Sequence, residues 1–401
     1  MKQSLLNLYS QLHMAAIAIA RRSPIPTRVF GPPKGIIPDV KRWTEQYRER
    51  RQLPADDCWY EAVYPAGLRG DFTEHPNPQT LPTLAPLFEG KQRVPQPECF
   101  NACIPRARVV TRTGIVISPD DRVFEQSCVF PDPVFTSDIE YNTLRPMLRP
   151  TPLEGDFIVV ASRFYTNYYH WLSDCIARLC IIDRLPKVPI LLPEKLTSWQ
   201  SESLELLGIE RGRWLQLPEG CYEVDRLYFP FTGTTGNTHT RALQELRRRY
   251  SGERAPVEGK RLYIARSDAG YRRLLNEAEV VRALERQGFQ VVEGSTLSLK
   301  QKIELFADAE VILGVHGAGL ANLIFAPRGS IVVEIYDPEH LTPSNYLLSA
   351  SLEQRYWALV GENESTRQSK PVRKGYDDVS VRVDELMQTL QAALSGGVAV
   401  A

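Results

Sequence analysis

Val311-Ile-Leu-Gly-Val315 is an unbroken apolar run that stops at His316-Gly-Ala-Gly319 and passes without a spacer into Leu320-Ala-Asn322. Such a run reads as a strand buried inside a sheet, followed at once by a short helix. Buried strands of this kind belong to parallel sheets, whose crossovers commit the chain to alternating strands and helices. The small-residue turn sets free backbone N–H groups, and the positive end of a helix dipole, at the carboxyl edge of that sheet. Such an edge is a cradle for phosphate. His316 at the turn puts an imidazole beside whatever anion is held there.

The alternation can be followed from Asp156 onward. Strands are expected at 157–161, 189–192, 214–217 and 226–229, with helices over about 168–184 and 198–207. A polar stretch, 232–238, leads into a charged helix ending near Tyr250, and 251–260 reads as a linker. A second series follows, with strands at 261–265, 289–292, 311–315, 331–335 and 355–359. Its helices are expected at 276–287, 299–306 and 345–352, with a last amphipathic one at 381–394. Before residue 156 the pattern differs: 20 of the 30 prolines lie there. Residues 108–124 read as short strands with turns at Gly114 and Pro119-Asp-Asp. The expected division is a β-rich N-terminal extension (1–155), two α/β domains (156–255 and 256–380) and a C-terminal helix and tail (381–401). Two such α/β units enclose a cleft, with ligands at the carboxyl ends of the strands.

Totals narrow the function. The 401 residues are long for one domain and comfortable for two. Forty-eight basic residues balance 48 acidic ones, so no global field recruits nucleic acid or anionic lipid. Seven cysteines with no C-x-x-C pair point to reduced thiols in a cytosolic setting and away from structural zinc. The apolar run 14–20 is far short of the roughly 20 residues a spanning helix needs. With Leu5, Leu6, Leu8 and Leu12 it reads as an amphipathic helix, docked on the main body or resting on a membrane or partner.

Four segments could carry chemistry. Gly317 and Gly319 let the backbone approach an anion, although a G-x-G by itself is more often a packing turn. His316 and Asn322, bracketing the glycines, favour a ligand. Arg266-Ser-Asp-Ala-Gly-Tyr-Arg-Arg273, ahead of Asn276-Glu277, gathers Arg266, Arg272 and Arg273 on one loop at the same edge. They suit a diphosphate through paired hydrogen bonds, with Asn276 as a helix N-cap; the competing reading is a solvated basic loop. On the helix expected at 168–184, His170, Asp174 and Arg178 fall at i, i+4 and i+8. A His with a carboxylate one turn away serves as a general base, or merely braces the helix. Glu334 ends a strand where carboxylates bind ribose hydroxyls, with Tyr336 and Asp337 just past it; pairing with an arginine is the alternative.

Together these segments resemble glycosyltransferase family 61. The words are Asn167-Tyr-Tyr-His-Trp-Leu-Ser-Asp174, Ala265-Arg-Ser-Asp with Arg272, Arg273, Asn276 and Glu277, then Gly314-Val-His-Gly-Ala-Gly-Leu-Ala-Asn322 and Val333-Glu-Ile335. They span roughly 156–361. The resemblance implies a GT-B-like fold, two Rossmann-like domains facing a cleft, and inverting transfer from a nucleotide-sugar, often a UDP-sugar, to a glycan or polysaccharide acceptor. By position, Arg266, Arg272 and Arg273 would contact the diphosphate. The backbone of Gly317, Ala318 and Gly319 and the Asn322 side chain would complete the cradle, and Glu334 would face the nucleoside. Inversion needs a base, assigned to His170 or Asp174 across the cleft, and leaving-group stabilisation, assigned to Arg266 and His316. No D-x-D stands at a strand end, so metal-independent catalysis with no cofactor beyond the nucleotide-sugar is expected. The setting would be cytoplasmic polysaccharide biosynthesis, with peripheral membrane contact at most. Two rivals remain. An NAD-dependent dehydrogenase would want the full G-x-G-x-x-G, which Asn322 interrupts. A non-catalytic sugar-nucleotide-binding protein would not need His170 and Asp174.

Overall fold

The computed structural model describes residues 33–68, 94–128, 150–234, 236–267, 269–363 and 377–395, with a few positions between 12 and 24 and between 79 and 88. The N-terminal amphipathic helix falls largely outside the described residues, as does Asp268 of the arginine loop. The protein is a mixed α/β chain of two compact units. One holds the described residues of Met1–Pro65, Glu98–Thr166 and Asp174–Thr235; the other holds those of Ala66–Pro97, Asn167–Ser173 and Gly236–Ala401. Among the described residues no helix is long and apolar enough to cross a membrane. No disulfide joins any of the seven cysteines, and every one but Cys128 is buried.

The first unit is built on the eleven-residue strand Cys221–Phe231. Along one edge Thr151–Val159, Ile190–Pro193 and Trp214–Leu217 follow in parallel register. Along the other, Arg108–Val110 and Cys99–Pro105 pair with it antiparallel, at its start and its end. The meander expected in 108–124 is present as Arg108–Val110, Ile115–Ile117 and Arg122–Phe124, hydrogen-bonded into this same sheet. Phe100, Phe124, Phe157 and Phe229 close its core, each burial contributing about 1.5–3 kcal/mol. Gly114 makes the first meander turn at φ 70°, and a Cβ there would lie 1.9 Å from the carbonyl oxygen of Ala161. Gly114→Ala is therefore expected to cost about 2 kcal/mol or more, from left-handed strain and a clash with rigid backbone. Urea unfolding checks this, and a loss under half that would mean that the turn yields freely.

The second unit carries the site. Its elements are β1 (Gln79–Thr80), α1 (Thr240–Ser251), β2 (Arg261–Ile264), α2 (Glu277–Glu285), β3 (Phe289–Val292), α3 (Leu299–Phe306), β4 (Val311–Val315), β5 (Ile331–Tyr336), α4 (Ser344–Ser351), β6 (Arg355–Val360) and α5 (Val383–Ser395). The six strands lie in the order β3-β2-β4-β5-β6-β1, every pairing parallel. β2 thus has on its two sides the strand that follows it and the one after that. Strand order reverses between β2 and β4, the place where open parallel sheets leave a crevice at their carboxyl ends.

Strand alternation divides the side chains between two layers. Tyr263, Val311, Leu313, Val333, Ile335, Trp357 and Leu359 pack with Val280 and Leu284 of α2 and Leu386 and Leu390 of α5. Ile312, Gly314, Val332, Glu334, Tyr336 and Tyr356 take the alternate positions and are buried on the opposite face, Gly314 included. On that side α1, α3 and α4 pack on the 3-10 helix Ala318–Phe325.

Candidate functional site

At the carboxyl end of β2 the chain is pinned before it turns. The backbone N–H of Arg266 donates to Glu277 Oε1 at 2.9 Å, and Tyr263 Oη donates to the same oxygen at 2.8 Å. The Arg266 side chain is then held by two carbonyls of its own loop, through Nε to Arg272 O and Nη2 to Tyr271 O, both at 2.9 Å. Its remaining terminal nitrogen lies against the next turn: a Cβ on Gly317 would stand 1.9 Å from Arg266 Nη1. Gly317 has φ 168°, extended backbone open to any residue. A side chain there would have to displace the Arg266 guanidinium. The fold brings Arg266 and the glycine turn together, as expected from sequence.

The turn itself opens a helix. Leu320 N–H bonds Gly317 O at 3.1 Å, closing the first turn of Ala318–Phe325. The N–H groups ahead of Leu320 have no acceptor within the helix, which is the condition for an anion cradle. From sequence Asn322 is expected to join that cradle. In the structure its amide spans the turn, Nδ2 donating to Gly319 O at 2.9 Å while Oδ1 accepts from Tyr168 Oη at 2.7 Å.

The arginine loop divides. Arg272 is buried and left-handed at φ 53°, a strain that the surroundings must hold, and its guanidinium lies 5.1 Å from the Tyr271 ring. Arg273 turns away to an ion pair with Asp378 at 2.6 Å. Asn276 stands at the N-cap of α2 without capping it; its amide instead clasps the backbone of Val381.

Behind the turn lies a buried polar network. His316 follows β4 in register with Tyr336, so the two rings stack, their centroids 5.3 Å apart. His316 Nδ1 is 2.5 Å from Glu334 Oε1. An ionised carboxylate only accepts, so Nδ1 carries the proton and Nε2 is the nitrogen left for a ligand. From sequence Glu334 is expected to face a nucleoside. In the structure it is fully buried, taking Asn345 Nδ2 at 2.7 Å on the oxygen His316 shares and Tyr356 Oη on the other. Burial and this carboxylate hold Tyr336 and Tyr356 well above the usual phenol range, so both stay protonated donors. Asn345 and Tyr356 belong to no motif. Tyr356 could have been found only from register, which sets it diagonally across from Glu334.

His340 closes the edge, its ring 5.1 Å from that of His316. Burial, then the charges of His316 and Arg272, push it down to about 4, against smaller opposing effects of Asp337 and Glu334. The folded protein therefore binds fewer protons than the unfolded chain between about pH 6.5 and about 4, and stability falls as pH drops through that window. His340→Asn should flatten that decline in urea titrations; an unchanged slope would remove His340 as its cause.

Asn167-Tyr-Tyr-His-Trp-Leu-Ser173 packs with this second unit, while Asp174 groups with the first. Tyr168 is its tie, through Asn322 and through Lys302 Nζ, 4.9 Å from the Tyr168 ring. The single α-helix expected over 168–184 is absent. Asn167 caps one α turn, Tyr168–His170, which passes into a π segment, Trp171–Cys175, and a 3-10 segment, Ile176–Ile181. The 3.6-residue period that would align His170, Asp174 and Arg178 is therefore lost. His170 is half-buried, Asp174 and Arg178 are buried, and Arg178 Nη1 donates to Ala161 O at 3.2 Å. Among the described residues no group of three or more His, Cys, Asp or Glu could hold a metal ion.

Residues 168–333 match the family model Glycosyltransferase 61. Over these residues the chain is similar to glycosyltransferase family 61. That stretch runs from Tyr168 through Arg266 and the 316–319 turn to the residue before Glu334. Among curated proteins the chain is 32% identical over 134 residues to protein O-linked-mannose β-1,4-N-acetylglucosaminyltransferase 2 of Canis lupus familiaris, covering 30% of this chain and 23% of the relative. It is 38% identical over 109 residues to a β-1,2-xylosyltransferase of Oryza sativa subsp. japonica, covering 26% and 19%. A third match, 31% over 93 residues, is the EGF domain-specific O-linked N-acetylglucosamine transferase of Gallus gallus, covering 22% and 17%. The matches thus span about a fifth of the length of these relatives.

Proposed function

We propose that this chain is an inverting glycosyltransferase that moves a sugar from a nucleotide-sugar, a UDP-sugar first among candidates, to a hydroxyl of a glycan or polysaccharide acceptor. The observation that carries the reading is Arg266 laid against Gly317 at the reversal of strand order, beside the first N–H groups of the 318–325 helix and His316. One fixed guanidinium, a helix start and an imidazole with Nε2 available suit a diphosphate whose charge grows as it leaves. The names of the relatives, all glycosyltransferases, support the same class. In this reading the two units are Rossmann-like halves of a GT-B-like enzyme that works without a metal in the cytoplasm.

The acceptor oxygen attacks the anomeric carbon, the carbon–oxygen bond to the diphosphate breaks, and its electron pair leaves on the phosphate oxygen. Arg266 and His316 stabilise that charge. His170, half-buried on its capped turn, is the group we assign to take the acceptor proton; buried Asp174 is the second choice. Incubation with a panel of nucleotide-sugars, scored by released nucleoside diphosphate, tests the activity. His170→Ala should abolish release while UDP still stabilises the fold. Stabilisation by NAD alone would overturn the transferase reading.

A further inference from the structure

Asp337 directly follows β5 at its carboxyl end and is fully buried. Its Oδ1 accepts the backbone N–H of Glu339 at 2.8 Å, a turn that binds the side chain to its own loop. Its carbonyl accepts the N–H of His340 at 2.9 Å. Oδ2 is buried as well, yet has no hydrogen-bond partner among the described residues. An asparagine would serve the turn equally well without burying a charge. A carboxylate kept dry with one oxygen unused is among the costlier arrangements in an interior, and it persists where something else employs it.

What would employ it must donate a hydrogen bond, because an ionised carboxylate only accepts. Asp337 sits one residue past Tyr336, which stacks on His316, and three before His340, whose ring also meets His316. His316 and Arg266 answer the phosphates. The parts of a nucleotide-sugar next to its phosphates that carry donors are the two sugar rings. We propose that Asp337 Oδ2 accepts a hydroxyl of the bound donor, from the ribose or from the transferred sugar, and selects donors by that hydroxyl. The proposal rests on the nucleotide-sugar reading of the same sheet edge and makes Asp337 a specificity residue there.

The test compares the full wild-type chain with Asp337→Asn, which keeps the acceptor for Glu339 N–H. One arm titrates UDP, 2′-deoxy-UDP and 3′-deoxy-UDP; GDP and its deoxy forms replace them if GDP is what the wild type takes. A second arm compares kcat/KM for the active sugar donor with forms lacking single sugar hydroxyls. In one arm, the wild type should lose roughly 10-fold or more on removal of one hydroxyl, the scale of a charged hydrogen bond. Asp337→Asn should be weaker by a similar factor on the intact ligand and indifferent to that same removal. The arm that responds tells ribose from transferred sugar. Equal discrimination by both proteins for every analogue would overturn the proposal, as would a uniform loss across all ligands with a lowered melting temperature, the mark of a structural role alone. If no nucleoside diphosphate binds the wild type, the nucleotide-sugar reading fails first and this one with it.

Discussion

Glu334→Ala is expected to destabilise the second unit by about 3–5 kcal/mol and to abolish sugar transfer. The size follows from what the carboxylate does. It is fully buried and receives His316, Asn345 and Tyr356, so its removal takes a buried acceptor from three polar groups at once. Breaking a buried charged network from one side costs about that much. Glu334→Gln separates the two consequences. The amide still offers an oxygen to His316 or Asn345, and Tyr356 Oη has Tyr336 Oη at 3.1 Å as an alternative partner. That variant should remain folded while transfer falls by about 100-fold, if His316 stabilises the leaving diphosphate as proposed and Glu334 orients its ring. Urea unfolding and nucleoside diphosphate release measure the two effects. Full activity in a folded Glu334→Gln would show that His316 does not depend on its carboxylate partner.

Arg266→Ala is expected to weaken nucleoside diphosphate binding by about 100-fold, through loss of charged hydrogen bonds to phosphate. Arg266→Lys should recover little of this, because an ammonium cannot hold the Tyr271 and Arg272 carbonyls while facing the turn as the planar guanidinium does. Calorimetric titration of UDP into the three proteins decides it. A lysine variant that binds like the wild type would reduce Arg266 to a generic charge.

What could be read before the structure was governed by local pattern. β4 lies at Val311–Val315, as its apolar run predicts, and β3, β5 and β6 fall within a residue of expectation, because buried parallel strands are written as contiguous apolar residues. Placing Arg266 beside Gly317 followed from both being at strand ends of one edge. Other features depend on long-range pairing. Nothing in Cys99–Pro105 announces that it will pair antiparallel with the far end of Cys221–Phe231. No residue of the π segment at Trp171–Cys175 is one that an α-helix over 168–184 would refuse, so periodicity could not reveal it. Glu334 looked like a ligand-facing strand end because sequence does not say which strand face is covered. Only Tyr356 and Asn345, brought in from β6 and α4, make that position an interior one.

A diphosphate held on the 316–319 turn against Arg266 should be displaced by Gly317→Ala. Backbone at φ 168° accepts alanine, so the fold should persist; the added methyl occupies only the space held by Arg266 Nη1, 1.9 Å away. Calorimetric titration should show UDP binding to the wild type and at least about 10-fold weaker binding to Gly317→Ala, with little change in melting temperature. Equal affinity in the two proteins would mean that the diphosphate does not sit on this turn.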